Sequence, residues 1–250
     1  VIRISRSVVP NFFTVGNMFA GYMSILFAVY QQNTVLAAWM IVLAAFLDAI
    51  DGKIARITNS SSKFGVEYDS LADVVSFGAA PSVLIYEFYF QSMDLEMVAM
   101  LLSFFPLLFG SIRLARFNVE LTGFTKTHFN GLPSPMSAIS LASFVLFINH
   151  YFEGYVQPRI IIFLTLLVSL LMVSNVRYSV FPQLSFRGDL KQKIIFAGLI
   201  VTGILIFFFP YMLLFPMMMI YVMGGLVYSL FKRAQASARY QRIIEKRKKQ

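Results

Sequence analysis

Apolar runs of about 20 residues follow one another along most of this chain, each long enough to cross a bilayer as a helix. At that depth every backbone N–H and C=O must find its partner within the chain, which excludes open strands and lipid-exposed irregular loops. The runs fall at about 12–31, 34–56, 69–91, 95–117, 134–152, 158–176, 192–209 and 211–231. The expectation is an all-α, polytopic integral membrane protein with about eight transmembrane helices. No stretch shows the alternation of a half-buried strand. Composition agrees: 58% of residues are hydrophobic and 13% charged, whereas a soluble domain carries about a quarter charged residues. Phe12–Tyr30 reads as the first span and not as a signal peptide, because the run is too long and lacks a clear cleavage site. The absence of cysteine excludes disulfides and thiolate metal sites. Residues 1–231 read as one membrane domain, and 232–250 as a basic tail.

A net charge of +9 invites a nucleic-acid reading. Its distribution argues for topology instead, and no nucleic-acid partner is expected. With eight spans, both termini and the 2–3, 4–5 and 6–7 connections share one side. Every lysine and arginine except Arg159 falls on that side. Basic residues concentrate on the cytoplasmic face, so both termini are expected there. The tail reads as a helical extension that meets anionic lipid headgroups.

Four aspartates stand out against this apolar background. Asp48 and Asp51 lie at the cytoplasmic end of span 2, and Asp69 and Asp73 at that end of span 3. Ionised carboxylates at membrane depth are costly and mark functional sites. Spacings of 3 and 4 put each pair on one helix face. The connection 57–68, with Asn59-Ser60-Ser61-Ser62 and Gly65 as turn residues, folds one pair onto the other. The result is a cage of oxygen donors without His or Cys. Such a cage suits Mg²⁺ or Mn²⁺, with Ca²⁺ also compatible. Gly52 and Ala55 share the Asp48 face, where small residues serve either close helix packing or room for a ligand. Arg56 serves either as a snorkelling anchor or as a phosphate donor.

Together these residues spell D-x2-D-G-x2-A-R-x8-G-x3-D-x3-D, met at Asp48, Asp51, Gly52, Ala55, Arg56, Gly65, Asp69 and Asp73. This resembles the signature of the CDP-alcohol phosphotransferase family, with no fixed position missing. The resemblance implies transfer of a substituted phosphoryl group from a CDP-linked donor to an alcohol, with release of CMP. It implies that Asp48, Asp51 and Asp69 bind metal at the CDP pyrophosphate. Asp73 would lie at a second ion and take the proton of the attacking hydroxyl. Gly52 and Ala55 would border the cytidine and Arg56 would hold phosphate. Asn11 and Thr14 would approach the nucleotide. A homodimer is also implied by the family.

The acceptor rests on a second region. Ser111-Ile-Arg113-Leu-Ala-Arg116-Phe-Asn118 is followed by Phe129-Asn130-Gly131-Leu132-Pro133-Ser134-Pro135. With the opening Val9-Pro10-Asn11-Phe12-Phe13-Thr14, these segments resemble the phosphatidylserine synthase branch. That resemblance implies CDP-diacylglycerol and L-serine as substrates. Arg113, Arg116, Asn118, Asn130, Ser134 and Arg177 would form the serine pocket, where arginine suits a carboxylate. Other acceptors remain open, notably those of phosphatidylglycerophosphate and phosphatidylinositol-phosphate synthases, whose phosphates also call for arginine. From a different class, a divalent-cation transporter would place carboxylates near mid-membrane on several spans. Here they gather at one end of two spans. His128 reads as a solvated loop residue, and His150 lies on the far side from the aspartates.

Overall fold

The structure, a computed structural model, describes residues 8–58, 63–92, 96–120, 128–179, 198 and 201–248. The expected turn at 59–62 and much of the expected seventh span lie outside these residues. The elements are α1 (Val8–Val29), α2 (Thr34–Thr58), α3 (Lys63–Asp73), a π-helical turn (Val74–Ala79), α4 (Ala80–Phe88) and a 3₁₀ turn (Phe90–Ser92). They continue with α5 (Glu96–Glu120), β1 (His128–Asn130), α6 (Ser134–Phe152), α7 (Pro158–Val173), β2 (Arg177–Ser179), a helix at 201–208 (α8) and α9 (Pro210–Lys248).

Six described helical stretches are long and apolar enough to cross a membrane: Phe12–Val29, Thr34–Ile54, Phe64–Phe88, Glu96–Val119, Ser134–Phe152 and Pro210–Lys232. With the shorter apolar helix α7 and with α8, they fit the eight expected spans. The surface is inverted relative to a soluble protein. Phe12, Phe46, Phe163, Phe207 and Ile220 point outward, as lipid-facing residues do. Small residues fill the interior instead. Ala20, Ala28, Ala37, Ala38, Ala44 and Ala45 are buried, mostly along the α1–α2 hairpin. Short side chains let the two backbones approach closely in the absence of a hydrophobic drive between helices. Ser24 Oγ donates across the hairpin to the Ala37 carbonyl at 2.8 Å. At the hairpin tip, the Asn33 side chain accepts from Leu36 N–H at 2.9 Å and so starts α2.

Two corrections to the sequence reading concern the segment that carries the second aspartate pair. The connection expected over 57–68 is much shorter, since α2 runs to Thr58 and α3 begins at Lys63. Gly65 therefore sits in the first turns of a helix and not in a loop. Phe64 and Tyr68 stack four residues apart, with centroids 5.7 Å apart and planes 8° from parallel. Such an i,i+4 pair helps the helix tolerate the glycine. Span 3 is also not a uniform α-helix. Directly after Asp73 it widens into the π turn Val74–Ala79 before continuing as α4. The wide turn carries Ser76, whose Oγ donates to the Asn17 carbonyl of α1 at 2.9 Å. Gly21 allows that approach, since a Cβ there would collide with Ser76.

In α5, Pro106 disturbs the local ladder. The N–H of Leu107 donates instead to Ser82 Oγ of α4 at 3.0 Å. A third difference is a short pairing that strand alternation does not announce. β1 and β2 run antiparallel, with His128 opposite Ser179 and Asn130 opposite Arg177. Gly131 extends this pairing, donating its N–H to the Val176 carbonyl at 2.8 Å, and Leu132 donates to Leu171 at 2.9 Å. Gly131 has φ 87°, and a Cβ would overlap the Met172 carbonyl oxygen. Gly131→Ala is expected to lower stability by about 1–3 kcal/mol, read as a lower melting temperature of the detergent-solubilised protein.

Candidate active site

Asp48 and Asp51 end the apolar part of α2, and Asp69 and Asp73 lie in the second half of α3, which packs on α1. One carboxylate oxygen from each of Asp48, Asp69 and Asp73 lies within 4.8 Å of the other two, and all three residues are half-buried. Asp51 is buried and turned toward α1, where the Thr14 hydroxyl donates to its Oδ2. It still adds its repulsion to that felt by Asp48 and Asp69. The four residues thus form a triad of converging carboxylates with Asp51 alongside, held by a different partner.

α1 supplies more to this corner than the sequence reading assigned. Asn17 is fully buried, and its Nδ2 reaches Asp73 Oδ1 at a long 3.4 Å. Its Oδ1 is buried without a hydrogen-bond partner among the described residues. The available signal was periodicity. Thr14, Asn17 and Ser24 lie on one face of a span otherwise apolar on that side, and all three are buried. Ser70, between the two α3 aspartates, exchanges hydrogen bonds with Asn118 of α5. Asn118 Nδ2 donates to Ser70 Oγ at 3.0 Å.

Three mutually repelling carboxylates at this separation, with a partnerless amide oxygen in the same corner, fit a hard cation. The donors are all oxygen, which favours Mg²⁺ or Mn²⁺ over softer ions. Gly52 lies one turn along from Asp48. It is exposed, and a Cβ there would meet nothing within 4 Å. The helix face beside the triad is therefore open, and among the described residues Gly52 does not serve packing against another helix.

The two arginines of α5 separate. Arg113 turns into the bundle, where one guanidinium nitrogen donates to the buried Ser134 Oγ at 2.7 Å. Its Nε is buried without a hydrogen-bond partner among the described residues, and Asp73 lies within its electrostatic reach. Arg116 is exposed and donates to Asn175 Oδ1 at 3.2 Å, on the α7–β2 connection. Asn130 and Arg177 sit opposite each other in backbone register. The side chains of Asn11, Ala55, Arg56, Asn130 and Arg177 lie outside the described residues.

This arrangement defines an intramembrane carboxylate site with an adjoining half-buried arginine. Residues 7–174 match the CDP-alcohol phosphatidyltransferase family, and the chain belongs to it. Among curated relatives, it is 38% identical over 224 residues to the CDP-diacylglycerol–serine O-phosphatidyltransferase of Helicobacter pylori, covering 89% of this chain and 91% of that one. It is 36% identical over 171 residues to the archaetidylserine synthase of Methanothermobacter thermautotrophicus, 68% of each chain. It is 32% identical over 179 residues to the CDP-diacylglycerol–serine O-phosphatidyltransferase of Methanocaldococcus jannaschii, 71% of this chain and 77% of that one.

Proposed function

We propose that the chain transfers the phosphatidyl group of CDP-diacylglycerol to the hydroxyl of L-serine, giving phosphatidylserine and CMP. The observation that carries this reading is the Asp48–Asp69–Asp73 triad with Arg113 beside it, in a chain related over nearly its whole length to a serine phosphatidyltransferase. The serine oxygen forms a bond to the phosphatidyl phosphorus, and the pyrophosphate bond to CMP breaks. Asp73 accepts the hydroxyl proton and passes it to water. Asp73 suits this part because it is the member of the carboxylate triad within electrostatic reach of Arg113.

Asp48, Asp51 and Asp69, with Asp73 at their edge, hold one or two Mg²⁺ or Mn²⁺ ions. When bound, these ions neutralise charge on the pyrophosphate and on the departing CMP. Thr14 and Asn17 fix the carboxylates from behind, through the contacts to Asp51 and Asp73. Gly52, Ala55 and Arg56 border the nucleotide, with Gly65, Asn11 and Thr14 supporting the same corner; the open face at Gly52 leaves room for it. Arg113 pairs with the serine carboxylate while Ser134 holds its guanidinium. Asn118, Asn130, Arg116 and Arg177 surround that pocket.

The site faces the cytoplasm, with both termini on the same side, because nearly all basic residues gather there. A soluble amino acid and a lipid-linked donor meet naturally at that depth. α9 supports the same orientation. It is 39 residues long, about 58 Å at 1.5 Å per residue. That length exceeds a hydrocarbon core of about 30 Å, so its basic end, from Lys232 onward, emerges as the separate tail segment 232–250 and meets anionic headgroups. The working unit is a homodimer.

The test is product identity. Purified protein given CDP-diacylglycerol and isotope-labelled serine yields labelled phosphatidylserine, in proportion to CMP. Labelled lipid from glycerol 3-phosphate, with none from serine, sinks the assignment. Arg113→Gln is expected to raise the serine KM at least about tenfold, since a charge-assisted contact is lost. Steady-state kinetics at fixed donor checks this.

A further inference from the structure

The family match ends at residue 174, yet an element beyond it reaches the arginine. α9 packs against α6 and β2. Its seat on β2 is built around Tyr178, which is 1% exposed. The Tyr178 hydroxyl donates to the Val222 carbonyl at 3.1 Å. Gly225, three residues on, leaves the space that the Tyr178 ring fills, and a Cβ there would overlap the ring. Burial pushes the Tyr178 phenol above its ordinary range, so it stays a neutral donor. These contacts fix the rotation of α9 about its axis. The fixed rotation sets Tyr221 beside Tyr178, with ring centroids 5.5 Å apart and planes at 36°. Tyr221 is half-buried, and its phenol lies within electrostatic reach of Arg113.

β2 also anchors the other side of the pocket. Val176, just before β2, accepts from Gly131, and Leu171, near the end of α7, accepts from Leu132. Two residues further on, Ser134 accepts from Arg113. Arg113 is therefore held by Ser134 and lies within electrostatic reach of Tyr221, with a buried Nε that has no hydrogen-bond partner among the described residues. A carboxylate has about four acceptor positions, and a guanidinium fork fills two of them. A neutral phenol beside that fork supplies a further donor without adding charge.

We propose that Tyr221 is an acceptor-site residue, whose hydroxyl hydrogen-bonds the acceptor's anionic group where Arg113 pairs with it. The inference rests on the phosphatidyl-transfer reading above and adds to it a residue from outside the shared family segment. The division is chemically reasonable. Arg113 and Ser134, within the family-matched segment, supply one part of the acceptor pocket, and a helix beyond that segment adds Tyr221 to it.

The test is the pair Tyr221→Phe and Arg113→Gln, with their double variant, in the full-length protein. Tyr221→Phe keeps the ring against Tyr178 and removes only the hydroxyl. The acceptor KM is expected to rise about tenfold, while the CDP-diacylglycerol KM stays within about twofold. The double variant is expected to be less impaired than the product of the singles, because the two groups bind one ligand group. Melting temperatures of all variants are measured alongside. An unchanged acceptor KM in Tyr221→Phe overturns the inference. So does an equal rise in both KM values, which marks a structural role. The acceptor used is whichever one supports CMP release by the unmodified protein. If serine supports none and glycerol 3-phosphate does, the serine assignment fails, and the Tyr221 comparison is decided with glycerol 3-phosphate.

Discussion

Asp73→Asn is expected to slow CMP release by about 10²–10⁴-fold, the usual contribution of a positioned general base, while CDP-diacylglycerol still binds. Asparagine matches the size of aspartate and retains an oxygen for the Asn17 Nδ2 contact, so packing of α3 against α1 is preserved. What it loses is the ability to take a proton. Asp73 stands at the triad edge nearest the charge of Arg113, where donor and acceptor would meet. The measurement is single-turnover CMP release beside a binding isotherm for the donor. Turnover near the unmodified rate would remove Asp73 from the proton-transfer role. Lost donor binding would reassign it to holding the pyrophosphate.

The second large effect is the metal requirement. Three carboxylate oxygens within 4.8 Å of one another cannot all stay ionised cheaply unless a cation sits among them. Chelation is therefore expected to abolish turnover, and Mg²⁺ or Mn²⁺ to restore it. Asp48→Asn is expected to raise the metal concentration for half-maximal activity at least about tenfold. Asp48 is the triad member contributed by α2, so its loss leaves two carboxylates from one helix and opens the cage on one side. Titration of metal-stripped protein in the CMP-release assay measures this directly. Full activity in the presence of excess chelator would contradict the reading.

The parts of this site legible in the sequence are those that depend on local periodicity. Asp48 with Asp51, and Asp69 with Asp73, share helix faces because three and four residues make about one turn. The span lengths then force two neighbouring helices to present them together. What escaped are contacts made through space. Asn17 reads as an ordinary polar residue in an apolar span until α3 is seen against it. Tyr221 lies in the last span, and its place beside Tyr178 and within electrostatic reach of Arg113 depends on how α9 packs on β2. Spacing alone does not separate the two arginines: Arg113 and Arg116 are three residues apart, yet one is half-buried on Ser134 and the other exposed beside Asn175. The early start of α3 was hidden by Gly65, whose turn propensity gave way to a helix buttressed by Phe64 and Tyr68. The π turn after Asp73 has no sequence signature of its own. It arises where Ser76 meets the backbone of α1.

The most direct single measurement is CMP release from CDP-diacylglycerol by the purified protein across an acceptor panel, with Mg²⁺ or Mn²⁺ and with chelator. The account predicts release that depends on both serine and the metal, and that Asp73→Asn brings down to near background. Serine-independent release, or serine-dependent release undiminished by chelator, would contradict it.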